Sequence, residues 1–294
     1  MSTAGALINR VSRQLLSGTV EERNKLATTV SSADTSIVMT YVLNSIRAGA
    51  VFEIDSELIY VWSVDTATLT ATVERGYAGT TAAAHTSGAI VVYNPRFPQQ
   101  QLIDVLNQDI DDLSSPLNGL YRVITVDLAY NGSDRQINIP SASSIIDLID
   151  VRLRYLSDDF VALRGTRLAR DLPTADFAST FAITLDQCTM AGTLRVRYRA
   201  PFVRATTTAD NLQTVSFLPV SMEDILEYGV MSRMLAPREV KRNFTESQGD
   251  TRRSEEVPAG AVSGSVANIL RLRRDRIIAE AAKLAKQYPL TIRV

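Results

Sequence analysis

Side-chain chemistry has little to work with in this chain. Its 294 residues include one cysteine, one histidine and one tryptophan. A single cysteine, Cys188, excludes an internal disulfide framework and fits assembly in a reducing cytoplasm. A reactive thiol would need an electropositive setting, so Cys188 reads as a buried, inert side chain. The lone histidine, His85, sits among small residues in a predicted turn. No second ligand lies at metal-binding spacing from it, and no Gly-x-Ser-x-Gly elbow supplies a nucleophile for a Ser-His-Asp arrangement. His85 is expected to stabilise its turn through hydrogen bonds. A phosphate loop is missing too, because the corner at Gly76 to Gly79 carries no Lys-Ser or Lys-Thr. Asp109, Asp111 and Asp112 lack the spacing of a calcium loop and read as a solvated acidic helix face. No stretch approaches the ~20 apolar residues of a membrane-spanning helix. Residues 1–18 contain no continuous apolar run, so neither a signal peptide nor a span is expected there. The net charge is −1, which creates no global field for nucleic acid. These absences argue against an enzyme, and no catalytic group, cofactor or metal is expected.

What the chain does have is enough apolar material, 45 % of its residues, for a substantial core and roughly two domains. Leu7, Val11 and Leu15 recur at helical spacing, which predicts an N-terminal helix within 1–18. From 19 to 96 short runs such as Ile37-Val38 and Ile59 to Val64 alternate with turn formers, giving a first β-rich module. A central helix follows within 97–118, with Leu102, Leu106, Ile110 and Leu113 on one stripe. The region 119–218 forms a second β-rich module; 149–155 and 194–199 alternate as strands with one polar face, and 164–180 reads as loop. Residues 219–294 return to helix. Ser221 and Asp224 form a start resembling a capping box, and one helix continues to about Arg242. A polar loop, 243–258, precedes a last helix that Pro289 stops. The predicted fold class is α+β: a helical bundle of N-terminal, central and two C-terminal helices carrying two β-rich modules.

Charges in unexpected places mark candidate interfaces. Arg152 and Arg154 share one strand face, and Arg195, Arg197 and Arg199 share another. On one sheet these five guanidinium groups would repel unless water, DNA phosphate or acidic groups of a neighbouring subunit offset them. On helical wheels, Asp109, Arg233 and Arg273 fall inside apolar arcs. A charge there must pair or snorkel, and an Asp109–Arg233 or Asp109–Arg273 pair would fix helix register or a subunit interface. The helix containing Met222 has a second apolar stripe, Tyr228, Met231 and Leu235, which suits a central helix or one with one face in the core and one against a neighbour. After Pro289, Leu290, Ile292 and Val294 alternate with polar residues, as in a tail that docks on a partner.

Four segments carry a family resemblance: Leu7 to Leu16, Val73 to Thr81, Asn94 to Pro98 and Leu113 to Leu120, the second reading Val-Glu-Arg-Gly-Tyr-Ala-Gly-Thr-Thr. With the terminal helical pair, the chain resembles a head-to-tail connector (adaptor, or neck protein) of a tailed bacteriophage. The resemblance implies a virion structural protein assembled in the host cytoplasm and placed in the neck. It implies a homo-oligomeric ring, commonly a dodecamer, that joins the portal protein to a downstream tail or nozzle protein. Such a ring surrounds the DNA channel, with non-specific contact to DNA, and takes no cofactor. The alternative is a tail or baseplate protein that contacts the host surface. Clustered exposed Tyr and Trp would favour it, whereas Trp62 reads as isolated inside a strand.

Overall fold

The computed structural model describes residues 2–42, 46–139, 144–155, 159–246 and 261–289, with only the backbone given for 237–246 and 261–263. Its first helix, α1 (Ala4–Leu16), starts where the Thr3 hydroxyl accepts the Ala6 N–H. It ends at Ser17, in a left-handed conformation. The buried residues Ala4, Leu7, Ile8 and Val11 form its inner stripe.

The chain then enters a six-stranded antiparallel sheet: β1 (Arg23–Lys25), β2 (Ser36–Val38), β3 (Val51–Ile54), β4 (Glu57–Asp65), β5 (Thr70–Glu74) and β6 (Ile90–Tyr93), in the order β1-β6-β3-β4-β5-β2. Alternate residues such as Phe52, Ile54, Ile59, Val61, Ala71, Val73 and Val91 build a core of its own. Strands β3 and β4 pair from Ile54 and Glu57 across the two-residue turn Asp55-Ser56, with Asp55 at φ 55°. The β4–β5 register slips between Val61 and Ser63, so Trp62 is an extra, unpaired residue.

Helix α2 (Gln99–Leu113) leads to two further antiparallel sheets. The four-stranded sheet contains β7 (Arg122–Tyr130), β9 (Asp147–Arg154), β10 (Val161–Ala162) and β13 (Gly192–Ala200), in the order β10-β9-β13-β7. A three-stranded sheet is formed by β8 (Gln136–Asn138), β11 (Thr166–Ala169) and β12 (Ala182–Leu185), with β12 central. Both contribute to one core that includes Ile183, Leu185, Leu194, Val196 and Tyr198. The chain closes with α3 (Glu223–Glu246) and α4 (Ala261–Gln287). Side chains of α1 to α4 meet in a third core, and Arg10 of α1 reaches Glu223 (2.8 Å) and Glu227 (2.7 Å) of α3.

The expectation of a helical bundle carrying two β-modules is overturned. The described residues form thirteen strands in three antiparallel sheets and four α-helices, so the fold is β-rich. Residues 119–218 build two sheets, and 166–169, expected as loop, is a strand. The physical reason is strand length. Strands of two to four residues, such as β8, β10, β11 and β12, complete two periods of alternation at most. Pairing rather than pattern therefore defines them. The Ser221–Asp224 cap is not formed either: a short 3₁₀ turn, Val220–Met222, begins after Pro219 and α3 follows directly. Helix α3 continues through 243–246, and 247–258 of the predicted loop lie outside the described residues.

Candidate interaction surfaces

The five arginines lie on one face of one sheet, since β9 and β13 are neighbours. Arg195 stands between Arg152 on β9 and Asp127 on β7, Arg197 pairs with Asp150, Arg199 with Asp147, and Thr193 with Arg154. The offsetting carboxylates belong to the same sheet. Arg195 donates to Asp127 from Nε and Nη2, both at 2.8 Å. Arg197 donates to Asp150 from Nε at 2.7 Å and from Nη2, and Arg152 Nε donates to the same group at 3.0 Å. Burial would raise the Asp150 pKa, but the Arg197 and Arg152 contacts hold it below the usual range. Hydrogen bonding to Arg195 lowers that of Asp127. Arg195 and Arg154 also lie over the Phe160 ring at 3.9 and 5.1 Å, and Arg199 over Tyr121 at 4.3 Å. The alternation of Asp127 with apolar neighbours was the signal in sequence for its place on this face.

Asp109, Arg233 and Arg273 meet in the helical core. Asp109 is fully buried and accepts from Arg273 Nη2 at 2.8 Å and Arg233 Nε at 3.3 Å. Asp112 bridges the same two guanidinium groups, at 3.0 Å to Arg273 and 3.3 Å to Arg233. Three helices, α2, α3 and α4, are thereby tied at one point. Desolvation raises the Asp109 pKa to about 6, against the pull of both arginines. The approach depends on Gly229 of α3: a Cβ there would stand 2.0 Å from Asp109 Oδ2. Sequence spacing places the two arginines near Asp109, but only the packed helices show that both engage it and that Gly229 makes room. The acidic face read as solvated is largely paired, since Asp111 also holds Arg204 at 2.7 Å.

A third constellation was not found from sequence. Glu57, at the start of β4, is almost fully buried and accepts five donors. Arg75 gives Nε and Nη2, both at 2.8 Å; Gly76 and Ala83 give backbone N–H groups at 3.0 Å; and His85 Nε2 lies at 2.9 Å. The remaining Arg75 donors satisfy the carbonyls of Ser31, Asp34 and Ala83. Burial alone would raise the Glu57 pKa; Arg75, His85 and the two amides instead hold it down to about 2. His85 Nδ1 lies 2.8 Å from Asp55 Oδ2, so the histidine stitches the β3–β4 turn to the 76–85 segment. Arg75 beside the Gly76 turn was the signal available in sequence, whereas Glu57 lies 19 residues before that turn.

Two expectations are corrected at the surface. Cys188 is exposed, with its thiol 3.0 Å from the Ser133 carbonyl; its place in the short turn between β12 and β13 keeps it out of any core. Trp62 is not isolated: its ring lies 4.8 Å from that of Tyr60, which lies 5.3 Å from Tyr77, and it shares the outward face of β4 with Tyr60. Leu290, Ile292 and Val294 lie outside the described residues. A shallow depression beside the end of α1, between Arg13, Leu16, Val20 and Glu21, brings together no nucleophile and no paired acids. Among the described residues no helix is long and apolar enough to cross a membrane. No protein-family model matches the chain, and no curated protein matches its sequence.

Proposed function

We propose that this chain is a ring-forming adaptor of a tailed-phage neck, joining the portal to the tail around the DNA channel. The resemblance of four segments motivates the reading, and the observation that carries it is helix α4. Of its described side chains only Ile277 is buried, while Leu270, Leu272 and Ile278 are 45, 46 and 56 % exposed. Leu272 and Ile278 point away from the stripe formed by Ile269, Leu270, Ile277 and Leu284. A helix of 27 residues with aliphatic groups on several open sides suits coverage by adjacent subunits. Arg273, anchored on Asp109 and Asp112, fixes the helix in the pose that presents them. Charge pairs within the arginine sheet leave its face balanced enough to lie against protein or DNA without strong self-repulsion. Native mass spectrometry of the purified protein, alone and with its cognate portal protein, tests the reading. The expected result is a monomer or weak oligomer alone and a closed ring on the portal. A chain that stays monomeric with the portal overturns it.

The second reading, a tail or baseplate protein that contacts the host surface, is favoured by one observation. Trp62, Tyr60 and Tyr77 form an exposed aromatic cluster on the first sheet.

A further inference from the structure

We propose that the corner formed by Tyr60, Trp62 and Tyr77 is a carbohydrate-contact surface for an uncharged sugar chain. Trp62 is 58 % exposed and Tyr77 39 %, with Tyr60 between them. The Trp62 ring stands at 72° to Tyr60, so the two make an angled wall rather than a flat stack. The outward face of β4 places Trp62, and a tight turn places Tyr77. In that turn Ala78 takes φ 55° without being glycine, and Gly76 sits at φ 66°, where a Cβ would come 2.9 Å from the Thr80 carbonyl. Such a backbone persists only where its surroundings over-determine it. Here the buried Glu57–Arg75–His85 network does so, with Glu57 holding the Gly76 N–H directly, while Thr80 accepts the Leu58 N–H. The aromatic wall is therefore set before any ligand arrives, which removes the ordering cost of binding.

The size and rim of the corner select the occupant. Exposed fractions of 58 and 39 % on Trp62 and Tyr77 amount to roughly 250 Å² of accessible surface on the two residues together. A stable protein interface needs about 800 Å² from each partner, so the corner matches one or two sugar rings better than a second copy of the chain. Beside the rings, strand register places Glu74 opposite Tyr60 and Thr72 opposite Ser63, and all three polar residues are exposed. A carboxylate and two hydroxyls offer acceptors and donors to sugar hydroxyls, while the C–H face of a pyranose lies on the aromatic wall. The Glu74 carboxylate, with Asp65 exposed at the end of β4, disfavours phosphate backbones and sialylated or uronic chains. The inference deepens the host-surface reading but does not depend on it, or on ring formation.

Trp62 is the only tryptophan, so its fluorescence reports on this corner alone. The full chain is titrated with chitohexaose, maltohexaose and cellohexaose, with a single-stranded oligothymidylate as the charged comparison. A saturable change in emission is expected with at least one neutral oligosaccharide and none with the oligonucleotide. Affinity should fall about tenfold in Tyr77→Ala. The exposed substitution Glu74→Gln, which leaves the turn intact, should weaken binding several-fold with an unchanged melting temperature. No saturable change at millimolar sugar overturns the proposal, as does a change that both variants preserve. Adsorption to host cells is measured separately with Trp62→Ala. Sugar binding without cell adsorption sinks only the host-surface reading, and adsorption that survives Trp62→Ala shows that cell contact does not run through this corner.

Discussion

Buried carboxylates decide much of the behaviour of single residues in this chain, and they do so with opposite signs. Glu53 accepts the Gln99 N–H at 2.5 Å at the start of α2, yet burial, aided by Glu21, pushes its pKa up from 4.5 to about 7. A carboxyl that holds its proton more tightly when folded stabilises the fold fully below pH 4.5, and this contribution is lost as pH rises through about 7. Wild type should therefore lose on the order of 3 kcal/mol relative to Glu53→Gln across that window. Urea unfolding of both proteins along a pH series checks it, and parallel curves would refute it. Asp109 acts in the same direction up to about pH 6. Glu57, held down to about 2, acts in the opposite one, since its contribution is present above pH 4.5 and lost as pH falls through about 2. Gly229 is a purely steric case. Gly229→Ala would drive a methyl into Asp109, and should cost about 1–3 kcal/mol in chemical denaturation despite the better helix propensity of alanine.

Among the α-helices, α4 has the fewest buried side chains in its described residues. Its hold on the rest of the protein combines one apolar stripe with the Arg273 contacts to Asp109 and Asp112. Removing Arg273 leaves buried Asp109 with Arg233 alone, whose side chain is 37 % exposed. Arg273→Ala should cost about 3 kcal/mol, and hydrogen exchange in α4 should accelerate more than in the first sheet. Equal acceleration in both would show global destabilisation instead. The same comparison of elements explains what was legible in sequence. Leu102, Leu106, Ile110 and Leu113 repeat often enough to define α2, and alternation in 194–199 is long enough to define β13. The bulge at Trp62 breaks alternation by a single residue, so that Ser63, which strict alternation would bury, is exposed beside Trp62.

At the scale of the whole molecule, three cores divide the work. The first sheet has its own buried cluster, from Leu26 to Tyr93, while α1 and α2 on either side of it belong to the helical core. The Glu57–Arg75–His85 network lies entirely within this sheet and its turns. A fragment of residues 19–96 should therefore fold alone and give dispersed amide resonances. Glu57→Gln should unfold it, because Arg75 would remain buried without its counter-charge, at a cost of about 3–5 kcal/mol. A fragment that stays unstructured would show that the sheet needs the α2 contact through Glu53.

Sequence alone determined the elements whose periodicity outlasts chance: the first, central and two final helices, and the longest strands of the arginine face. It also placed Asp109, Arg233 and Arg273 on buried stripes, because burial of a helix face follows from 3.6-residue spacing and a charge within that face stands out. Tertiary structure alone decided that the chain is β-rich, since two- to four-residue strands exist only through their partners. It decided that Asp127 and Asp150 answer the arginines from the same sheet, because register is a relation between distant segments. It also decided that Tyr77, carried by a strained turn beyond β5, meets Tyr60 and Trp62, which lie two residues apart on one face of β4. Local pattern reports which face a residue takes; only chain closure in three dimensions reports what that face meets.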